Sequence, residues 1–198
     1  MALASSAPPQ VPLVPSSVAY IFSRLLVLGI ADWERYIALA ANLLAPCGWL
    51  EVHDIDLVWY DDATGKEVGP EWLSELTRAC EDIGLDLRCG SRAEAKFRDM
   101  GLVNVRRWGF KWYGGAASDV VGSEESQTEE EKRKNQIVDF TRKYAADGVV
   151  APAMKRALRG RLSEEKLEEL LGQMRRDLEE GPRGYICFYV TVGQKADQ

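Results

Sequence analysis

The sequence predicts an α/β protein built on a sheet of about four strands, with extra helices placed before the last strand. Two observations carry this. Short apolar runs rich in β-branched and aromatic residues alternate with segments of helical periodicity. A final run, Tyr185 to Val192, then returns to strand character after a long helical stretch.

Taken in order, residues 1–17 are rich in Pro, Ser and Ala and read as a flexible lead-in. Val18 to Phe22 (VAYIF) reads as a buried strand. Asp32 is placed to cap a helix from Trp33 to about Leu44, in which Tyr36, Ile37, Ala40, Ala41 and Leu44 share a face and Pro46 ends the run. Trp49 to Leu57 reads as the next strand, and the DDATGKEVG stretch as a polar loop. Pro70 opens a helix that Gly84 closes, with Trp72, Leu73, Leu76, Ala79, Cys80 and Ile83 along one side. A short helix over Ala93 to Met100 precedes a strand from Leu102 to Phe110, in which Val103 and Val105 are expected on one face.

The segment from Gly114 to Gln127 is small, polar and acidic and reads as loop or lid. Thr128 and Glu131 form a capping box for a helix to about Ala146, with Ile137, Phe140, Thr141 and Tyr144 expected inward. Ser163 caps a further helix bearing Leu167, Leu170, Leu171, Met174 and Leu178, and Pro182 and Gly184 turn the chain into the last strand. Residues 18–198 are thus expected to form one domain, with 115–180 a helical insertion or lid.

Composition narrows the function classes. A chain of 198 residues with 46% hydrophobic and 28% charged residues can bury one core. Its net charge of -6, with RRW and RALRGR as the dense basic patches, argues against nucleic acid or an anionic membrane as partner. Cys47, Cys80, Cys89 and Cys187 form no CxxC pair, so the pattern indicates reduced thiols and neither a zinc site nor a disulfide framework. No run approaches the roughly 20 apolar residues of a membrane span, and the N-terminal segment lacks the pattern of a signal peptide. A cytoplasmic or nuclear protein is expected.

The order YIFSRLLVLGIADW, LLAPCGWLEVHDID, GLVNVRRWGFKW and LSEEKLEELLGQMRRDLEEGPRGYICFYVTVGQK resembles the C-terminal half of class I S-adenosylmethionine-dependent methyltransferases of fungal secondary metabolism. The resemblance spans roughly residues 18–195 and implies a partial Rossmann-like sheet lacking the family's first three strands. It further implies a role in natural-product biosynthesis on a small-molecule substrate. Complete members hold their cofactor on a glycine-rich loop after the first strand, and this chain contains no GxGxxG. Three βα units would occupy on the order of 80 to 100 residues at about 30 each, whereas 17 precede VAYIF. S-adenosylmethionine is therefore expected only if a partner supplies the glycine-rich half. The exposed strand 18–22 is the expected surface for that partner, whether a second copy or another polypeptide.

Two departures from the family pattern are local. Cys47 stands where the family has a turn glycine, a substitution that costs about 1 kcal/mol if φ is positive there. Lys111 to Ala117 lacks the proline and closing tryptophan of the family's pocket-wall segment.

His53, the only histidine, lies with Asp54 and Asp56 toward the C-terminal end of a strand, where α/β sheets bind ligands, and can act as a general base. The competing reading is a surface histidine. Glu51 and Asp54 are candidates to contact substrate or to hold a loop, and Trp59, Trp112 and Tyr185 to line a hydrophobic substrate cavity or belong to the core. The resemblance places Ser23 and Arg24 at the cofactor side. Three functional expectations follow: a component of, or accessory to, a methyltransferase; an enzyme of the same fold running a cofactor-independent cyclisation, isomerisation or pericyclic step; and a non-enzymatic regulatory partner.

Overall fold

A computed structural model describes residues 13–114, 128–181 and 184–197. The expected loop or lid at 115–127, most of the lead-in, and Pro182 of the last turn lie outside the described residues. The elements run β1 (Val18–Arg24), α1 (Trp33–Leu43), β2 (Leu44–Asp61), β3 (Glu67–Val68), α2 (Glu71–Glu81), α3 (Cys89–Asp99), β4 (Val103–Gly114) and α4 (Glu129–Phe140). A π-helical stretch (Thr141–Val150) then leads into α5 (Ala151–Leu158), α6 (Glu164–Glu179) and β5 (Gly184–Gln194).

The sheet order is β1-β2-β5-β4, with β3 paired to the far end of β2. β1 and β2 are parallel, as a βαβ crossover through α1 requires. β5 is antiparallel to both β2 and β4, so the strand farthest along the chain fills the middle of the sheet. β1 occupies one edge of the sheet.

Local chemistry starts the helices as expected. The Asp32 side chain accepts from the Arg35 amide at 2.8 Å, and Ser163 from the Lys166 amide at 3.2 Å. Glu131 accepts from the Thr128 amide at 2.7 Å while Thr128 accepts from the Glu131 amide at 3.3 Å, closing the capping box. Gly84 and Gly101 end α2 and α3 at φ of 81° and 78°.

Where α1 runs into β2, Cys47 has φ of 60°, the strained value weighed for that position. Gly48 beside it admits no side chain, because a Cβ would lie 2.8 Å from the Ala45 carbonyl and 3.0 Å from that of Ala19. The Lys195 ammonium closes this corner by donating to the Leu44 carbonyl at 2.7 Å and the Ser16 hydroxyl at 3.2 Å.

Several expectations are corrected. β2 starts directly at Leu44 and extends to Asp61, because β3 and β5 pair with its far end. Val103 is exposed and Val105 buried, because Asn104 at φ of 53° makes a bulge that breaks the alternation. Ile83 is exposed, lying beyond the last turn of α2. Phe140 and Tyr144 are also exposed, packing on each other with ring centroids 5.3 Å apart. α5 was not expected; Ala151, Met154 and Leu158 bury one side of it in the core.

α1 and α3 pack against the sheet, and α5 and α6 pack on α2. Polar ties reinforce that last contact: the Trp72 indole N–H donates to Asp177 at 2.9 Å and Lys166 pairs with Glu71 at 2.9 Å. One hydrophobic core includes Ile37, Leu50, Val52, Leu76, Phe97, Met154, Leu170 and Met174.

Candidate functional site

The site is built on the alternation of β1 and β2. Leu50, Val52, Asp54 and Asp56 point to the face that the helices bury. Glu51 and His53 point to the opposite face, where β1 places Tyr20, Phe22 and Arg24 beside them. Tyr20 and Phe22 are 52% and 49% exposed, so among the described residues this part of the sheet has no apolar cover.

On this open face a hydrogen-bonded chain links three side chains. Glu51 Oε1 lies 2.5 Å from His53 Nε2, and Glu51 Oε2 accepts from the Tyr20 hydroxyl at 2.9 Å. Desolvation and the adjoining Glu51 carboxylate push the Tyr20 phenol above its ordinary value. The Phe22 and Phe188 rings meet the His53 ring edge-on, with centroids at 5.0 and 5.9 Å. The Arg24 guanidinium sits 5.6 Å from the Phe188 centroid, and among the described residues no carboxylate pairs with it. Trp112 continues the aromatic surface, 6.2 Å from Phe188 and 6.3 Å from Phe140.

The remaining expected site residues lie elsewhere. Asp54 is 1% exposed and holds the loop after β1, accepting from the Leu26 amide at 2.8 Å, Val27 at 3.3 Å and its own neighbour Ile55 at 3.0 Å. Burial raises its carboxyl above the usual range against the lowering effect of those amides. Asp56 likewise serves structure: it accepts from the Ser91 amide at 2.9 Å in the first turn of α3, and burial raises it too. The thiol of Cys89, at the start of α3, is pushed up by burial first and then by Asp54, Asp86 and Asp56.

Tyr185 is buried in a cluster with Tyr113, stacked on Tyr60 at 5.4 Å and covered by the Lys111 ammonium at 4.0 Å. Trp59 lines a cleft of about 760 Å³ between the end of β2, β3 and α2. That cleft contains none of the open-face residues, and its arginines are matched: Arg88 pairs with Glu67 at 2.9 Å and Arg92 with Asp86 at 2.8 Å. The open face is the better candidate because it carries a histidine, a carboxylate bridging two groups, and a cation with no carboxylate partner among the described residues.

Ser23 and Arg24 do not converge. The Ser23 hydroxyl is buried toward the helices, without a hydrogen-bond partner among the described residues, while Arg24 is exposed on the other face. The amides of Leu26 and Val27, at the strand end where a nucleoside cofactor would need donors, are already bonded to Asp54. Among the described residues, these two amides are therefore committed to Asp54 and not free to donate to a cofactor. Across the described residues, no three His, Cys, Asp or Glu side chains are grouped to hold a metal ion, and no helix is long and apolar enough to cross a membrane.

Sequence reasoning missed Tyr20, Phe22 and Phe188. The alternation of Tyr20, Phe22 and Arg24 would have put them on one face. The parallel register that sets Arg24 against His53, and Phe22 against Glu51, appears only in the fold.

No protein-family model matches the sequence, and no curated protein sequence matches it. Solved structures do. Phosphoethanolamine N-methyltransferase 2 of Haemonchus contortus overlays 93% of this chain with a TM-score of 0.50 at 13% identity, in complexes with S-adenosylhomocysteine and with S-adenosyl-L-methionine. Geranyl diphosphate C-methyltransferase of Streptomyces coelicolor overlays 94% with a TM-score of 0.38 at 9% identity. The chain spans 35% of the length of the first and 49% of the second. At such identity the likeness is one of fold: the chain has a mixed α/β fold matching the Rossmann-like sheet of class I methyltransferases.

Proposed function

We propose that this chain is a methyltransferase-family protein of fungal natural-product biosynthesis. It acts on a small molecule in the cytoplasm or nucleus as part of, or accessory to, an S-adenosylmethionine-dependent methyltransferase. The observation that carries this reading is the edge formed by β1, which presents exposed Tyr20 and Phe22 in a fold otherwise matched to methyltransferases. A second polypeptide bearing the glycine-rich half, or a second copy, adds along that edge and covers its unpaired backbone groups. The regulatory alternative uses the same edge without chemistry.

Calorimetry of the isolated chain with S-adenosylmethionine tests the division of labour. No heat of binding is expected, and micromolar binding would overturn it. Light scattering on the same sample is expected to give at least a dimer's mass when no partner is supplied; a stable monomer would count against edge pairing.

A second reading is favoured by the Tyr20, Glu51 and His53 chain. A sheet face destined for an apolar helical cover carries near-continuous hydrophobic residues, yet this one carries Arg24, Glu51 and His53. That pattern suits a ligand face, and a cofactor-independent acid-base step such as an isomerisation or cyclisation, with His53 as base.

A further inference from the structure

From the geometry of the open face we propose that Arg24, His53 and Phe188 bind a planar aromatic molecule carrying a carboxylate next to an enolisable carbonyl, and that His53 moves its proton. This rests on the cofactor-independent reading above and names its substrate class.

Three features define the class. With Glu51 as the acceptor of the 2.5 Å contact, a neutral His53 carries its ring proton on Nε2, and Nδ1 is then the nitrogen with the lone pair. Tyr20 donates to the other oxygen of Glu51 at 2.9 Å and fixes the carboxylate's orientation, so Glu51 and Tyr20 are positioning residues. Arg24 is directly opposite His53 in the strand register and has no described carboxylate partner, which provides a fork for a ligand carboxylate. Phe22 and Phe188, both within 6 Å of the His53 ring centroid, offer aromatic walls for a flat ring.

The step balances without a cofactor. His53 Nδ1 takes a proton from the carbon beside the carbonyl, so that a C–H bond breaks and an N–H bond forms. The electron pair of the broken bond moves to the carbonyl oxygen as an enolate. Glu51 stabilises the resulting imidazolium through Nε2–H, and the proton returns to the enolate oxygen or to another carbon. Nothing is oxidised or reduced.

Phenylpyruvate is the probe, with phenylacetone, which lacks the carboxylate, as its control. Because His53 is the only histidine, the imidazole nitrogen resonances of the full chain are assigned without ambiguity. Phenylpyruvate is expected to shift them, and Glu51→Ala to abolish the Nε2–H tautomer signature. The unaltered protein in D2O is expected to exchange the methylene protons of phenylpyruvate, and His53→Gln to slow this about a hundredfold, the scale of a general base. Arg24→Ala is expected to raise KM about tenfold with little change in kcat, as loss of a charged contact to both ground and transition states does.

Exchange that is unchanged in His53→Gln would overturn the acid-base reading itself. Exchange that depends on His53 but treats phenylacetone as well as phenylpyruvate, with Arg24→Ala silent, would overturn the carboxylate assignment and leave that reading standing. Millimolar phenylpyruvate that leaves the imidazole resonances unmoved would overturn the site; this needs no variant, so a variant's failure to fold cannot obscure it.

Discussion

β2 carries carboxylates on both faces, and the two faces put the same chemical group to opposite uses. Asp54 accepts from three backbone amides and Asp56 from that of Ser91, and they hold a loop and a helix start. Glu51 lies half-buried on the open side and holds two side chains that can themselves react. A buried carboxylate ringed by amides has spent its hydrogen-bonding capacity on architecture, whereas one shared between a histidine and a phenol remains available to chemistry. Position along the strand would not have separated them; the face does.

The largest expected effect comes from removing the architectural carboxylate. Asp54→Ala leaves the Leu26 and Val27 amides without their acceptor and is expected to cost about 2–3 kcal/mol, or roughly 4–12 °C in Tm for a chain of this size. Glu51→Ala should stay within about 1 kcal/mol. Equal losses in thermal melts of the two variants would erase the contrast between the faces.

The comparison sharpens with pH. Asp54 and Asp56 are raised in the folded state, chiefly by burial, so the fold keeps their protons to higher pH than the unfolded chain does. Their contribution is fully present below the unfolded value of about 3.9 and is lost as pH rises through the raised values. Asp56→Asn can still accept from the Ser91 amide through its side-chain oxygen. Urea unfolding from about pH 4 to 7 should therefore show the wild type losing stability relative to this variant; a change in the other direction would reverse the sign argued here.

Smaller effects test the corner and the open face. Cys47→Gly relieves a positive φ at an exposed site and is expected to gain about 1 kcal/mol. Tyr20→Phe removes one exposed hydrogen bond and should change stability by less than about 0.5 kcal/mol. Chemical denaturation measures both.

What the sequence revealed was mostly local. Asp32, Ser163 and the Thr128 and Glu131 pair announced their helix starts because a cap needs only neighbours within three residues. α5 was hidden because no side chain caps its start, and burial of Met154 and Leu158 holds it in place. The bulge at Asn104 was missed although asparagine tolerates a positive φ, because Val103 and Val105 around it read as a regular strand alternation. His53 and Glu51 were legible as separate candidates, His53 beside Asp54 and Asp56 and Glu51 beside Asp54, and their contact with each other appears only in the fold. Tyr20 and Arg24 reach them only through the parallel pairing of β1 with β2, a register set by the turn at Cys47 and Gly48 and by α1 packing.

The position of β5 has a consequence for how the protein is made. β4 ends at Gly114 and β5 begins at Gly184, yet β5 lies between β2 and β4. During synthesis β4, whose partner among the described strands is β5, therefore stays unpaired until that strand is made, and β2 keeps the edge that β5 fills open until the same moment. Such late closure by distant contacts slows folding and exposes strands to mispairing. The sheet is thus completed only when β5 threads into the gap between β2 and β4.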